Sequence, residues 1–290
     1  MKTNRWTGGQ YSLYRLLLGG AIIGTSLADV AAQPLALLAA ALGVLLAVGW
    51  YDRLAAGLLA SVTVLGGATA VLQAPFFGLL LLHLATPPAP YGSWAARGRV
   101  DPGDGWTLPA NVQNGAYLWF GYLLLARWLL PIEGFIAIVL TMLLALDPGW
   151  MWPPSTAGER LFYDGGCGLC HRAVRCVLAE DRDGKAFRLA PLDSDALRAE
   201  LTPEQQQSLP DSLVVLTADG KLLTRWRGMC HIGWQLGGYW RVLAGLAGLV
   251  PAAIGDVLYD GLARMRHWLF AKPKDACPIL PPALRQRFDW

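Results

Sequence analysis

The sequence predicts a chain in two unlike parts: a membrane all-α helical bundle, then an α/β domain in β-α-β-α-β-β order with extra C-terminal helices. Three observations lead there. Of the 290 residues, 54% are hydrophobic and only 16% are charged, fewer charges than an ordinary soluble domain carries. The deficit is concentrated before residue 150, where long apolar runs follow one another, while charges return at ordinary density from Glu159 to about Asp219. After the last run, Leu161-Phe-Tyr-Asp-Gly-Gly-Cys-Gly-Leu-Cys-His171 sets a short apolar strand, a glycine turn and a Cys-x-x-Cys at the mouth of a helical pattern. The expected domains are residues 1–150 with five or six spans, a linker over 151–158, and 159–290.

The apolar segments run over Leu13–Leu27, Leu35–Trp50, Leu54–Leu72, Phe76–Ala85, Gly115–Leu130 and Phe135–Leu146. A span needs about 20 apolar residues, so several must borrow flanking residues. Six spans give the more consistent charge placement. Loops 1–10, 51–53 and 87–114 then share one side and carry Lys2, Arg5, Arg53, Arg97 and Arg99, with Arg15 near the same end. The opposing loops 29–34, 73–75 and 131–133 hold no Lys or Arg. The positive-inside rule places both termini, and with them the second domain, in the cytoplasm of a bacterial inner-membrane type of protein. An odd number of spans would put that domain outside. A competing reading takes residues 1–32 as a signal peptide, with small residues at Val30 and Ala32 before the cleavage point.

Within this half, Gly20-x-x-x-Gly24 and Gly66-Gly67 are expected to allow close helix packing. His83 lies inside an apolar helix. It is a functional candidate by position, or a neutral histidine bonded to a neighbouring helix. The long loop Pro87–Asn114 reads as interfacial, its arginines facing lipid phosphates. Asp147-Pro-Gly-Trp-Met-Trp-Pro-Pro154 stops the last helix, and its tryptophans suit the headgroup layer.

The net charge of +3 is too small to argue for nucleic acid, and no basic stripe with interleaved aromatics occurs. The five cysteines (Cys167, Cys170, Cys176, Cys230, Cys277) all lie in the second half. An odd count without regular spacing does not suit an extracellular disulfide scaffold.

The chemistry centres on the Cys-x-x-Cys. Leu169, Ala173, Val174, Val177 and Leu178 recur at helix spacing. A cysteine at that helix start meets unpaired N–H groups and the positive end of the macrodipole, which favour its thiolate. A second cysteine three residues on closes a small disulfide and releases a substrate caught by the first. By position, Cys167 is the attacking thiolate and Cys170 the more buried resolving thiol. Tyr163 and Gly165 support the turn. Asp164 either accepts the resolving thiol's proton or caps the turn through backbone N–H groups. His171, one turn after Cys167, favours the thiolate if protonated, or is simply solvated.

Ala186–Ala190 alternates as a strand. Thr202-Pro203-Glu204-Gln205 reads as a helix start with a capping box, and Ser212–Leu216, Ala218-Asp-Gly220 and Lys221–Arg225 as a hairpin. The order is that of a thioredoxin-like fold. Tyr163-Asp164-Gly165-Gly166-Cys167-Gly168-Leu169-Cys170 resembles the signature of the DCC family of thiol-disulfide oxidoreductases. The likeness continues through Pro210-Asp-Ser-Leu-Val-Val215 and includes Pro251, Asp256, Tyr259, Arg264, Arg266 and Cys277, so that it covers most of residues 160–280. The resemblance implies a thioredoxin-like domain exchanging dithiol and disulfide with a thiol or disulfide substrate, without cofactor or metal. The fold analogy makes Pro210 the candidate cis-proline set against the disulfide. Where the family commonly has a Ser-Asp-Ala-like segment, this chain reads Arg227-Gly-Met-Cys230-His231. The first half loosely resembles DoxX-like or HTTM-like membrane modules.

Cys176, nine residues after Cys167, is expected on the opposite helix face in the core, and Cys230 and Cys277 as small buried or tail residues. Cys167-Gly-Leu-Cys170-His171 also matches the c-type haem attachment string. A further alternative is a non-catalytic membrane protein whose Cys/His cluster binds metal or senses redox state. Trp240–Val250 and Ala252–Phe270 read as two helices around Pro251, with a stripe of Leu258, Leu262, Met265 and Leu269. That stripe either completes the core or lies on the lipid bilayer.

Overall fold

The computed structural model describes residues 4–28, 30–31, 35–65, 74–96, 105–130, 132–165, 168–209, 213–269 and 282–289. The chain forms two compact units that divide between Pro148 and Gly149.

In the first unit, α1 (Gly8–Ala28), α2 (Ala36–Val48), α3 (Asp52–Leu65), α4 (Ala74–Ala85), α5 (Ala110–Ala126) and α6 (Ile132–Ala145) each fall on one of the six apolar segments. A single turn, α7 (Pro148–Met151), follows. Among the described residues, α1 and α2 bring their backbones together at Gly19, where a Cβ would stand 2.6 Å from the backbone N of Ala47 and 2.7 Å from the carbonyl O of Gly43. The expected pair Gly20 and Gly24 has no such role, since a Cβ at either meets nothing within 4 Å. One residue decides which face of α1 meets α2, and Gly19 occupies it. Gly66 and Gly67 lie outside the described residues.

Hydrogen bonds gather the connections of this unit at one end. Asn4 Nδ2 donates to Leu108 O (2.7 Å), Trp6 Nε1 to Leu146 O (3.0 Å), and Arg5 N to the Asp147 carboxylate (3.2 Å). Arg53 reaches Leu84 O (2.6 Å) and Thr86 O (2.8 Å), and Arg15 reaches Gly92 O (2.8 Å). The N-terminal segment, the α2–α3 turn, the start of the α4–α5 connection and the end of α6 therefore share that end. Arg97, Arg99 and Lys2 lie outside the described residues.

The core of this unit is mainly apolar, with Leu18, Ile22, Leu46, Leu59, Phe76 and Leu79 buried, but polar side chains lie inside it and large apolar ones outside. Arg15 is 2% exposed and His83 3%, while Leu118 and Leu125 are 78% and 87% exposed. Tyr11 Oη and His83 Nδ1 are hydrogen-bonded at 2.8 Å, and His83 Nε2 stands 3.4 Å from Asp52 Oδ2. His83 is thus held by α1 and α3, as expected of a histidine bonded to neighbouring helices. Among the described residues, no single helix is both long and apolar enough to cross a membrane; Ala36–Val48, Pro75–Ala85 and Gly134–Ala145 are apolar but short.

The second unit is built on a four-stranded sheet of order β2-β1-β3-β4. β1 (Glu159–Tyr163) runs parallel to β2 (Phe187–Pro191), with Leu161 opposite Leu189, and antiparallel to β3 (Val214–Leu216), with Leu161 opposite Val215. β4 (Leu222–Thr224) completes the hairpin with β3 through a turn in which Gly220 takes φ +78°, a conformation that glycine adopts without steric cost. Between β1 and β2 lies α8 (Gly168–Glu180); α9 (Asp195–Glu200) and α10 (Pro203–Ser208) follow β2; α11 (Arg225–Leu236), α12 (Gly238–Gly248) and α13 (Ala252–Leu269) follow β4. The capping box at α10 is present, Gln205 N donating to Thr202 Oγ1 and Thr202 N to Gln205 Oε1.

Strand alternation sorts the core into two layers. Leu161, Tyr163, Phe187, Leu189 and Val215 meet Val174, Val177 and Leu178 of α8 and Ile232 and Leu236 of α11. Phe162, Ala190 and Val214 face the other way, onto Leu197 and Leu201. This arrangement, with two helices on one face and one on the other, is consistent with a thioredoxin-like domain. Residues ahead of β1 are also fastened to this unit: Ser155 N donates to Gln235 O (2.8 Å) and Gly158 N to Lys185 O (2.9 Å). Leu258 of the expected α13 stripe is exposed rather than packed in the core, and the side chains of Leu262, Met265 and Leu269 are outside the described residues.

The C-terminal end covers the edge of β2. Leu189 N donates to Arg287 O (2.9 Å), Asp289 N donates to Leu189 O (2.8 Å), and Phe288 enters the core against Tyr163. One buried ion pair clamps this strap: Arg287 NH2 bonds Asp181 Oδ2 at 2.6 Å, and the same carboxylate accepts the backbone N–H groups of Lys185, Ala186 and Phe187. Removing one partner of such a pair strands the other. Asp181→Ala is therefore expected to destabilise this unit by about 3–5 kcal/mol, read as a lowered midpoint of its unfolding transition in urea.

Candidate active site

The site is placed by the C-terminal end of β1. Leu161, Phe162 and Tyr163 are buried on both faces of the sheet, so the chain leaves β1 at a position fixed by its neighbours. Tyr163 O is tied to Leu192 N (2.9 Å), and the Tyr163 ring meets Phe288 edge-on. Asp164 and Gly165 follow, both half-buried. Gly165 does not adopt a left-handed φ, and a Cβ built on it meets nothing within 4 Å. Gly165 stands in the turn after β1, the bend it is expected to support.

α8 opens at Gly168, and Cys170 is in its first turn. Cys170 is 4% exposed and belongs to the same core as Leu161, Tyr163, Leu213 and Ile232. Its side chain thus belongs to the core that β1, α8, α11 and the residue leading into β3 share. Cys167 and Pro210 lie outside the described residues, as does the His171 side chain, although the His171 backbone is within α8. Cys277 lies outside them too. Tyr163, Asp164, Gly165 and Cys170 are therefore the expected site residues that the structure brings together.

Cys176 corrects an expectation. It sits on α8 half-buried and is not among the side chains of the core layer, because Val174, Val177 and Leu178 take the inward positions of that turn. Burial, helped by the charge of Glu180 one turn on, pushes its thiol up to about 11. Cys230 is half-exposed on α11, and burial raises its thiol as well. Among the described residues no group of three or more His, Cys, Asp or Glu is placed to hold a metal ion.

A second polar cluster was not evident from the sequence. Glu159, at the start of β1, is buried; its carboxylate accepts hydrogen bonds from His231 Nε2 (2.6 Å) and Gln235 Nε2 (2.9 Å) of α11. The one available signal is the i, i+4 spacing of His231 and Gln235, since the 72-residue separation from Glu159 carries no local pattern.

Residues 161–272 match the model of the DCC1-like thiol-disulfide oxidoreductase family. Uncharacterized protein YuxK of Bacillus subtilis (strain 168) is 30% identical over 132 residues, which span 44% of this chain and 91% of YuxK. The chain belongs to the DCC1-like thiol-disulfide oxidoreductase family. No solved structure matches it. The family match begins on β1 and ends at Lys272, so the DCC1-like part of the chain is the second unit, and the helical first unit lies outside the matched residues. As a DCC1-like domain, the unit has a thiol–disulfide redox function, and the sheet end that carries Asp164 and Cys170 lies inside the matched residues.

The thiol of Cys176 gives a direct test of this placement. A thiol pushed up to about 11 stays protonated through neutral pH, and its reactive thiolate accumulates only as pH rises through that value. At pH 8, Cys176 is expected to react with iodoacetamide roughly 100-fold more slowly than an ordinary thiol of pKa about 8.5. Peptide-resolved alkylation from pH 7 to pH 11 would show that rate still climbing at the upper end.

Proposed function

We propose that this chain is a membrane-anchored thiol–disulfide oxidoreductase in which Cys167 attacks and Cys170 resolves. The observation that carries the reading is the buried Cys170 in the first turn of α8, at the end of the central strand. Orphan N–H groups at a helix start stabilise a thiolate, which suits Cys167, the residue just ahead of α8. A resolving thiol does its work inside the molecule and is best kept from solvent.

Reduction of a substrate disulfide then runs in two exchanges. The Cys167 thiolate attacks one substrate sulfur, forming a mixed disulfide, and the other substrate sulfur leaves as a thiolate that takes a proton. Cys170 gives up its proton and attacks Cys167 sulfur. The mixed disulfide breaks, and the second substrate sulfur departs as a thiol. The products are a Cys167–Cys170 disulfide and a substrate dithiol; oxidation of a substrate is the same sequence reversed. Asp164, half-buried beside the turn, is the proposed acceptor of the Cys170 proton, with Tyr163 and Gly165 shaping the turn. His171 and Pro210 are proposed to support the thiolate and the substrate-facing loop.

The membrane anchor is proposed for residues 1–150, joined through 151–158 to the redox part, 159–290. The large apolar side chains exposed on the first unit, such as Leu118, Leu125 and Val64, support it, as does the gathering of its connections at one end together with Arg5 and Arg53. Several helices are shorter than the about 20 residues of a full span, so flanking segments would complete the crossings. With that basic end inward, the redox part faces the cytoplasm of a bacterial inner-membrane type of protein. There the pair rests reduced and acts as a reductant.

The experiment is trapping. Cys170→Ala, expressed in the full chain, is expected to accumulate a dithiothreitol-sensitive mixed disulfide through Cys167, while Cys167→Ala accumulates none. If the two variants give the same adducts, or neither gives any, the exchange mechanism falls. The same cells test the anchor: the chain should stay in the membrane fraction after carbonate extraction and be released by detergent.

A further inference from the structure

Beside α11 lies a cleft of about 790 Å³ that the cysteine chemistry does not use. One wall is α11, which contributes Trp226, Arg227, Cys230, His231 and Trp234; the other is the corner where α12 turns into α13 at Leu249, Val250 and Pro251. A volume of this size suits a small-molecule ligand. It lies along α11, from Trp226 and Arg227 in the first turn after β4 to His231 at the Glu159 end of β1, whereas Cys170 belongs to the core that Ile232 and Leu236 of the same helix help to close.

The polar groups of the cleft are built rather than scattered. A carboxylate is costly to bury and is retained where it is fully hydrogen-bonded. Glu159 meets that condition by taking His231 Nε2 at 2.6 Å, Gln235 Nε2 at 2.9 Å and Ala218 N at 3.4 Å. The result is a fixed imidazole. His231 donates its Nε2–H to Glu159, and as an imidazolium it holds a second donor, Nδ1–H, which has no partner among the described residues. Arg227 lies one turn before His231 on the same helix face, and its guanidinium is likewise unpartnered among the described residues. Glu159 is occupied by these bonds and the Asp256 carboxylate accepts from Trp226 N (3.2 Å), while Arg227 and His231 line the cleft.

The remaining surface is apolar and rigid. Trp226 is tied to the opposite wall by its Nε1 donating to Ala247 O (3.2 Å). Arg241 stands over the Trp234 ring at 5.2 Å and donates to Trp234 O. The corner itself exposes apolar side chains, with Leu249 at 79%, and Leu246 and Val257 also exposed. The α12–α13 pair is apolar over a length that would pass for a broken span, bent by 114°.

We propose that this cleft binds an anionic amphiphile, its carboxylate or phosphate head group on Arg227 and His231 and its apolar body against Trp226 and Trp234. A planar guanidinium pairs both head groups through two parallel N–H donors, and the exposed apolar corner is the entrance for the apolar body, lipid-facing on the membrane reading proposed above. A fatty acid and a phosphate-bearing lipid share this chemistry.

Cys230, on the cleft wall, reports occupancy without any added label. The full chain in zwitterionic nanodiscs is treated with N-ethylmaleimide, and alkylation of the Cys230 peptide is followed with dodecanoate, dodecyl phosphate or dodecanol present. At least one of the two anions is expected to slow Cys230 alkylation by 10-fold or more, the more protective one naming the head group, while dodecanol changes it by less than 2-fold. Arg227 is exposed, so Arg227→Glu leaves the fold in place and should abolish the protection; His231→Gln, which can still donate to Glu159, should weaken it. Equal protection by dodecanol, protection that survives Arg227→Glu, or protection by neither anion would overturn the proposal.

Discussion

The C-terminal unit depends on β1 being enclosed on both faces and both edges. Leu161 and Tyr163 belong to one core layer and Phe162 to the other, while β2 and β3 pair with its two sides. A strand held in this way has one tolerable register, because a slip of one residue would turn Leu161 and Tyr163 away from α8 and drive Phe162 into their place. That register decides where the chain emerges, where α8 begins, and hence that Cys170 is buried at the end of the sheet. The position of the sulfur follows from the packing of aromatic and aliphatic side chains several residues earlier.

The same strand carries both polar features of the unit. Its last residues lead into the cysteine turn, and its first, Glu159, holds His231 through a short hydrogen bond. The two ends are stiffened by different means. At the cysteine end, Phe288 packs edge-on against Tyr163. At the Glu159 end, Asp181 holds Arg287 and the start of β2, and α11 supplies His231 and Gln235.

The first unit follows a different logic. Tyr11, Arg15, Asp52 and His83 meet one another inside a core that also buries Leu18, Ile22, Leu46, Leu59 and Leu79, while other large apolar side chains such as Leu118 and Leu125 are exposed. Internal pairing of polar groups and close packing of apolar ones together hold these helices. Close backbone contact at Gly19 serves the same purpose.

Local features were legible in the sequence because their causes are local. The apolar runs located the six helices of the first unit, the Thr202–Gln205 spacing located a capping box, and Gly220 located a hairpin turn. The Cys-x-x-Cys pointed to the right family. What the sequence did not show were choices among equivalent local options: Gly19 rather than Gly20 as the packing glycine, Cys176 at the margin of the core rather than in it, and α11 as a helix whose face lines a cleft. Period and spacing alone determined which segments form helices and strands and which residues stand near the helix start. Only the tertiary structure decided which helix face is inward, that the last residues strap β2, and that Glu159 meets His231. Those outcomes depend on contacts between residues far apart in the chain, and such contacts leave no periodic trace in it.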